Sequence, residues 1–442
     1  MLENKLFGVI SLGCDKNRVD SEKLIGLLKE RKCALTDDLS KAQIVIVNTC
    51  AFLESARKES IETILECAGY KKSGKLEKIV VTGCLPQKFI GELFDPLTEA
   101  DVFLGIRDYE KIFEALEKSY ERNERENYVG KGSDGFRFGR VLTTEPHYAY
   151  LKIADGCYNH CTYCLIPKIR GRYVSYPMED LLKEAEELGD VSELIVVAQD
   201  TTRYGEDLYG ESRFVNLLSE LSKLDNIRKI RLLYCYPDVI GEELIAEIRD
   251  NDKILKYIDI PLQHSENRIL KLMNRKGGRE SYLALLKKLR EEIPQIAVRS
   301  TFISGFPGET EEDYLATERL VREADFASAF TFVYSPRTGT KAASMPDQIP
   351  ESVQKDRIMR LVELVNSLTR KKSEKYLGKT VEILCEDYDK KKGLYLGRDE
   401  FGRMGYFKSE TNRIGDFVNL KITQANGISL FGETAEKENK EI

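Results

Sequence analysis

Three cysteines share one short segment, GCYNHCTYCLIPKIRGR, at positions Cys157, Cys161 and Cys164, which we call the loop triad. Their C-x3-C-x2-C spacing lets three thiolates bind three irons of a 4Fe-4S cluster and leaves the fourth iron without a protein ligand. Structural zinc is the alternative, but zinc is closed by four ligands and no fourth cysteine lies nearby. His160 would have to serve, although it directly precedes Cys161. The spacing favours the cluster.

A second set of cysteines emerges only when the first hundred residues are divided into strands. Cys14 ends GVISLGC, Cys50 ends IVIVNTC and Cys84 ends IVVTGC, so each follows a β-branched run. Strands of a parallel sheet end at one edge, where such folds bind ligands. We call these three the sheet-edge triad and expect a second cluster with an open iron. Unrelated buried cysteines, or a redox or sulfur-carrying set of thiols, are the alternatives.

The elements that must position both triads follow from the apolar patterns. Strands and helices alternate at the start of the chain, which predicts a parallel α/β domain over residues 1–140 that ends in a charged, glycine-containing linker from Glu121 to Arg140. About six further strand-helix units predict a partial, TIM-like barrel over 141–370, because a closed barrel needs eight. A long helix from Pro350 to Lys375 then leads to period-two segments, which predict a small antiparallel β-barrel over 371–442. The final EKENKEI is expected to be a solvated tail.

Composition sets the class of protein. The chain has 442 residues, of which 42% are apolar and 32% charged, the balance of a multidomain globular protein. No run reaches the roughly 20 apolar residues of a membrane-spanning helix, and the N-terminus lacks a signal-peptide pattern, so we expect a cytoplasmic protein. In a reducing compartment, clustered cysteines indicate metal or redox chemistry. The net charge of −6 argues weakly against a surface devoted to nucleic acid and suits a basic partner.

The loop triad, placed after the first barrel strand, resembles that of the radical S-adenosylmethionine superfamily. The resemblance implies that the open iron binds S-adenosylmethionine and that an electron from the cluster cleaves it to a deoxyadenosyl radical, with Tyr163 against the adenine. Strand ends of the barrel supply further candidates for this pocket, namely Gln199, Asp200, Gln263 and Ser304. His264 is either part of the pocket or a hydrogen-bonded structural residue. Arg170 and Arg172 either meet a carboxylate or lie in a solvated loop.

Both triads together, with the α/β domain before them and the small β domain behind, resemble the methylthiotransferase family over nearly the whole chain. The segments SLGCDKNRVDSE (11–22) and AQDTTRYG (198–205) are similar to the branch that modifies a ribosomal protein. LQHSENRILKLMNRKG and SGFPGET occur family-wide. The resemblance implies methylthiolation of the β-carbon of an aspartate in the twelfth protein of the small ribosomal subunit, with a TRAM domain at the C-terminus that helps to hold the substrate.

Such a reaction explains why two clusters are needed. An aspartate β-carbon is unactivated, so its hydrogen must be removed by a radical, and sulfur must then be delivered to the same carbon. The implied cofactors are two 4Fe-4S clusters, S-adenosylmethionine as radical source and methyl donor, and sulfide or polysulfide on the N-terminal cluster. The electron would come from a reductant such as flavodoxin or ferredoxin. The alternative function is methylthiolation of the modified adenosine beside the anticodon of transfer RNA, and a noncatalytic iron-sulfur electron carrier is a third.

Overall fold

The computed structural model describes residue 2 and residues 5–132 and 139–435. The chain forms two compact units. The first unit comprises Met1–Thr143, Asp155–Cys157 and Leu165–Tyr173, and the second comprises Thr144–Ala154, Tyr158–Cys164 and Val174–Ile442. Part of the predicted linker (133–138) and the predicted tail (436–442) lie outside the described residues.

The first unit contains a six-stranded parallel sheet in the order β2-β1-β3-β4-β5-β6. Its strands are β1 (Leu6–Ser11), β2 (Ala34–Leu35), β3 (Ile44–Thr49), β4 (Lys78–Gly83), β5 (Val102–Phe103) and β6 (Glu126–Asn127). Every residue of β3 and β4 is buried, as expected for β-branched strands covered on both faces. The three β-branched runs that precede the sheet-edge cysteines form β1, β3 and β4, as predicted. The predicted linker is too long at its start, because Glu121 still belongs to a helix and β6 extends the sheet.

Helices cover both faces of this sheet. They are α1 (Asp15–Glu30), α2 (Glu54–Ser73), α3 (Cys84–Leu93), α4 (Ile112–Arg122) and the one-turn α5 (Ile166–Ile169). Two apolar layers result, one including Val45, Ile64 and Leu85 and the other including Phe7 and Leu24. The α1 helix begins directly after Cys14, and the polar segment DKNRVD forms its first turns.

The second unit begins with a curled, open half-barrel of six parallel strands in the order β14-β13-β12-β11-β10-β7. They are β7 (Tyr148–Lys152), β10 (Val191–Val197), β11 (Ile227–Leu232), β12 (Ile254–Gln263), β13 (Ala297–Ser304) and β14 (Ser328–Val333), and the short strands β8 (Ala154–Asp155) and β9 (Val174–Ser175) lie between the first two along the chain. The prediction of a partial barrel with six units is confirmed.

The helices of this half-barrel alternate with its strands. They are α6 (Met178–Glu187), α7 (Glu206–Tyr209), α8 (Phe214–Ser222), α9 (Glu242–Asp250), α10 (Asn267–Leu272), α11 (Arg279–Glu292) and α12 (Glu311–Glu323). The long helix predicted after them is α13 (Glu351–Glu374). Within the described residues, no helix is both long enough and apolar enough to span a membrane.

The C-terminal strands close into a five-stranded barrel in the order β15-β16-β17-β19-β18. They are β15 (Thr380–Asp389), β16 (Leu394–Asp399), β17 (Met404–Phe407), β18 (Phe417–Asn426) and β19 (Ser429–Thr434). The sequence pattern missed β17, whose glycine-containing MGYF has little apolar content. The barrel is antiparallel as predicted, except that β17 pairs with β19 in parallel.

This small barrel packs on the half-barrel through buried charges. Arg231 on β11 is almost fully buried and forms two hydrogen bonds with Glu193 on β10, at 2.7 and 2.9 Å. The same guanidinium donates to the carbonyls of Asp399 and Glu400 at the end of β16. Both barrels therefore belong to one compact unit, and the domain boundary expected at residue 370 falls inside α13.

Candidate functional site

The sheet-edge triad lies where three neighbouring strands end. Cys50 directly follows β3, Cys84 directly follows β4 and Cys14 directly precedes α1 after β1. The strands β1, β3 and β4 are adjacent in the sheet, and Thr49 and Gly83 are partners in its register. The topology thus brings cysteines that are more than thirty residues apart in sequence to the same edge.

Close backbone approach at this edge depends on two glycines. Gly13 has a φ of 91°, and a Cβ there would lie 2.6 Å from the Cβ and 3.0 Å from the Sγ of Cys50. Gly83 has a φ of 94°, and its Cβ would lie 2.3 Å from Oδ1 of Asn48. Any larger residue would combine a strained backbone with a clash. The chain is built so that the loop before Cys14 can reach Cys50.

The three thiols differ in exposure. Cys14 is exposed, whereas Cys50 and Cys84 are 8% and 6% exposed. Burial raises the pKa of Cys50, and it raises that of Cys84 to about 12, although the Arg170 charge acts in the opposite direction on both. In the metal-free protein, Cys84 is thus a neutral thiol. Metal binding has to release its proton, as is usual for thiolate sites.

A buried arginine lies beside the sheet-edge triad. Arg170 donates from Nη1 to Oδ1 of Asp155 at 2.7 Å, and from Nη2 to Oδ1 of Asn17 at 2.6 Å and Oδ2 of Asp20 at 3.1 Å. The same Nη2 lies 3.8 Å from Sγ of Cys84. One of the two predictions for Arg170 is therefore confirmed, since it meets carboxylates, but these belong to the protein. Its neighbour Arg172 is exposed.

Arg170 holds together the segments that carry the first cysteines of both triads. Asn17 and Asp20 lie on α1, which begins after Cys14, and Asp155 lies two residues before Cys157. Asn17 also donates to the carbonyl of Thr49, just ahead of Cys50, at 2.9 Å. The sequence pattern did not identify Asn17 or Asp20, because polar residues in the first turns of a helix are ordinarily exposed.

The loop triad spans the chain between β8 and α5. Its middle part is held by the segment after α10: Asn274 donates to the carbonyls of Asn159 and His160, both at 3.1 Å, and Thr162 donates from its backbone to Met273 at 3.0 Å. His160 has a φ of 46°, a strained conformation for a residue with a side chain. Cys164 then closes a turn by donating to the carbonyl of Cys161 at 3.0 Å.

Two side chains that sequence reasoning missed flank Cys161. The Tyr236 hydroxyl and Nη1 of Arg275 each lie 4.0 Å from its Sγ. The Arg275 guanidinium also lies 4.0 Å from the centre of the Tyr236 ring, a cation–π distance. Arg275 belongs to LQHSENRILKLMNRKG, which served only as a family signature, and Tyr236 directly follows the buried Cys235. Cys235 packs against Thr201, 3.6 Å away.

The residues predicted to surround S-adenosylmethionine lie at the carboxyl ends of the half-barrel strands. Gln199 and Asp200 follow β10, Gln263 ends β12 with a φ of 74°, and Ser304 ends β13. Within the described residues, Oε1 of Gln199 and Oγ of Ser304 are buried without a hydrogen-bond partner. Buried polar atoms are rarely left in this state, so a ligand with donor groups fits there.

Asp200 and Tyr163, in contrast to Gln199 and Ser304, have contacts within the protein. Asp200 is buried and accepts hydrogen bonds from Thr202 at 2.6 Å and Asn159 at 2.8 Å, while burial raises its pKa. Tyr163 packs edge-on against Phe306, with 6.5 Å between ring centres, and burial raises its pKa.

His264 lies in a hydrogen-bonded environment, which agrees with the prediction of a structural residue. Its Nδ1 accepts from the backbone of Glu266 at 3.0 Å, and its Nε2 lies 3.4 Å from both Glu309 and Thr317.

The donor sets indicate which metal groups fit. Within the described ranges, no three histidine, cysteine, aspartate or glutamate side chains are close enough together to hold one metal ion. A single zinc ion draws each thiolate to about 2.3 Å, whereas each thiolate of a cluster binds a different iron. A set of three cysteines without a fourth ligand therefore suits a cluster, in which each thiolate binds a different iron, better than a single ion.

Comparison with known proteins agrees with this architecture. Residues 151–321 match the Radical SAM superfamily, residues 6–105 match Uncharacterized protein family UPF0004, and residues 374–435 match the TRAM domain. Among solved structures, the radical S-adenosylmethionine methyltransferase TsrM from Kitasatospora setae has a TM-score of 0.56 at 14% identity, over 77% of each chain. The cobalamin-dependent radical enzyme OxsB has a TM-score of 0.53 over 83% of this chain and 57% of its own. The fold and cysteine loop thus define a radical S-adenosylmethionine enzyme, a class that uses a 4Fe-4S cluster.

The particular family follows from full-length relatives. The ribosomal protein uS12 methylthiotransferase RimO of Clostridium tetani is 42% identical over 96% of this chain and 97% of that protein. The RimO proteins of Lachnoclostridium phytofermentans and of a Thermoanaerobacter species are 44% and 43% identical, each over 97% of this chain and 99% or more of those proteins. The chain belongs to the RimO family of radical S-adenosylmethionine methylthiotransferases.

Proposed function

We propose that this protein transfers a methylthio group to the β-carbon of an aspartate of ribosomal protein uS12. The observation that carries the proposal is the convergence of the sheet-edge triad on one sheet edge, in a chain that also contains the C-x3-C-x2-C loop. Full-length similarity to relatives named for this activity supports the same substrate.

The roles of the site residues follow from their chemistry. The loop triad would hold one 4Fe-4S cluster with S-adenosylmethionine, and the sheet-edge triad a second that carries sulfide or polysulfide. When bound, these groups supply a carbon radical and the methyl-sulfur that reacts with it. The amide oxygen of Gln199 would accept a hydrogen bond from S-adenosylmethionine, and the hydroxyl of Ser304 would donate one to it. Both oxygens are buried and have no other partner among the described residues. Tyr163, on the apolar cluster around Phe306, would present its ring to the adenine.

The partner is inferred from charge and from the C-terminal barrel. Acidic and basic residues nearly balance beyond Arg370, with Lys390–Lys392 as a small basic patch beside the β15–β16 turn. A basic ribosomal protein is attracted by a neutral or acidic surface, whereas RNA requires a basic, stacking one. We infer that this barrel contributes to docking of uS12. The electron would come from flavodoxin or ferredoxin, and the enzyme would act in the cytoplasm where ribosomes are assembled.

The test is a direct comparison of both substrates. Protein reconstituted anaerobically with iron and sulfide is incubated with reductant, S-adenosylmethionine and either uS12 or transfer RNA, and both products are weighed by mass spectrometry. We expect a methylthio group on one uS12 aspartate. Modification of transfer RNA alone would replace the proposal with the alternative substrate. Cys67 is a buried cysteine of the first unit that belongs to neither triad, so Cys67→Ala provides the control for cysteine replacement.

A further inference from the structure

Arg275 is a buried cation without a carboxylate counter-ion among the described residues. It lies between α10 and α11 and is 8% exposed, and its guanidinium lies beside Cys161, the carbonyl of Pro261 and the rings of Tyr236 and Tyr282. Its Nε has no hydrogen-bond partner within the described part of the chain. Guanidinium groups do not lose their proton in proteins, so this side chain brings a full positive charge into the interior.

Other buried arginines of this unit are neutralised. Arg231 is paired with Glu193 at 2.7 Å, and Arg357 with Glu309 at 2.8 Å. No aspartate or glutamate among residues 5–132 and 139–435 lies within 4.0 Å of the Arg275 guanidinium. Asp238, two residues after Tyr236, instead forms an ion pair with Arg203 at 2.8 Å. An unpaired buried charge is costly, so a guanidinium that has no carboxylate partner and lies beside Cys161 calls for an anionic group at that sulfur.

We propose that Arg275 is the counter-cation of the iron-sulfur cluster held by the loop triad. The proposal rests on the proposed function, because it assumes that cluster. A 4Fe-4S cluster on three thiolates is an anion, and its one-electron reduction adds a further negative charge. A guanidinium beside Cys161 interacts more strongly with the reduced form, and hydrogen bonds and charge near the sulfurs set the reduction potential.

The redox step involves only one electron. A low-potential one-electron donor such as reduced flavodoxin is oxidised, the cluster is reduced, and no bond or proton changes place. Arg275 is therefore a positioning residue whose fixed charge makes the cluster easier to reduce. Tyr236 contributes by packing its ring against the guanidinium and its hydroxyl near Cys161, which keeps the charge next to that sulfur.

The experiment measures the potential of this cluster alone. The full-length Cys14→Ala/Cys50→Ala/Cys84→Ala protein, reconstituted with iron and sulfide, is titrated electrochemically without substrate or S-adenosylmethionine, and the reduced cluster is counted by electron paramagnetic resonance. Arg275→Gln should shift the reduction equilibrium at least about tenfold towards the oxidised form, which is ~59 mV for one electron. Arg275→Lys, which keeps the charge, should recover most of that shift.

Arg279→Gln is the matched control, because Arg279 lies four residues further on and is already paired with Glu323 at 2.6 Å. It should leave the potential unchanged. An unchanged potential in Arg275→Gln with full iron content would overturn the proposal. If a separate titration with S-adenosylmethionine then shows weaker binding, the guanidinium is assigned to the cofactor instead. If Arg275→Gln fails to hold iron, Arg275→Lys decides: parental iron content and potential support the proposal, and loss of iron overturns it. Since no substrate is present, failure here leaves the uS12 assignment untouched.

Discussion

The sheet-edge triad and the loop triad each consist of three cysteines, but the chain assembles them differently and surrounds them with different charge. The first is collected from three strand ends of a parallel sheet, and the second from eight consecutive residues. Each has a buried arginine near one cysteine. Arg170, near Cys84, is paired with two aspartates, whereas Arg275, near Cys161, has no carboxylate partner among the described residues.

This difference separates a structural arginine from an electrostatic one. Removal of Arg170 takes the guanidinium away from two buried carboxylates, and breaking a buried ion pair from one side is strongly destabilising. Removal of Arg275 takes away a charge that has no carboxylate partner among the described residues, so no buried carboxylate loses its counter-ion. The first change should therefore cost stability, and the second should cost the chemistry of the site.

The largest effect is expected from the cysteines themselves. Replacing the loop triad by alanine should remove about half of the bound iron and abolish deoxyadenosine formation, since the cluster that binds S-adenosylmethionine is lost. Replacing the sheet-edge triad should also remove about half of the iron but leave uncoupled deoxyadenosine formation while methylthio transfer stops. Iron assay and chromatography of the nucleoside measure both. If the second replacement alters neither iron nor transfer, the two-cluster hypothesis is wrong.

The comparison of the arginines is tested by stability of the metal-free protein. Arg170→Met should lower the free energy of unfolding by about 3–5 kcal/mol, because the buried Asp20 and Asp155 lose their ion pairs with the guanidinium. Arg275→Gln should lower it by less than about 1 kcal/mol. Urea denaturation followed by circular dichroism provides the values, with the exposed Arg172→Met as control. If Arg170→Met and Arg275→Gln lose the same free energy of unfolding, the proposed difference between the two arginines is wrong.

A smaller effect concerns the two unpartnered oxygens in the half-barrel. Gln199→Ala should weaken binding of S-adenosylmethionine about tenfold, the value of one hydrogen bond, without a loss of stability, since Oε1 has no partner to lose. Ser304→Ala should act in the same way. Ser300→Ala, on the same strand, removes a hydrogen bond to the carbonyl of Ile260 and should reduce stability but not affinity. Calorimetry of cofactor binding distinguishes these outcomes.

The smallest expected effect is a change in stability at acid pH, and it concerns the buried ion pair between Arg231 and Glu193. Burial alone would raise the pKa of Glu193, but Arg231 and Arg398 hold it below its usual value. A depressed folded-state pKa stabilises the protein fully above the unfolded value of about 4.3, and this stabilisation is lost as the pH falls through the folded-state pKa. The difference in unfolding free energy between wild type and Glu193→Gln should thus shrink below pH ~4.3. The exposed Glu187→Gln should show no such trend.

Much of this architecture could be predicted because its signals are local. The β-branched runs of β1, β3 and β4 and the spacing of the loop triad each depend on neighbouring residues, and the six half-barrel strands repeat one pattern. The strand β17 was missed because its MGYF segment is stabilised by partners from β16 and β19 rather than by its own pattern. The two-residue strands β2 and β6 were missed for the same reason.

The sequence by itself determined the fold class, the six-unit half-barrel and the cysteines of both triads, because strand ends and short spacings are properties of consecutive residues. Only the tertiary structure decided which charges accompany the cysteines. Arg170 meets Asp20 across 150 residues, and Arg275 meets Cys161 across 114. Whether a buried guanidinium pairs with a carboxylate depends on which loops the fold brings together. Neither the periodicity of the sequence nor the spacing of its residues specifies that contact.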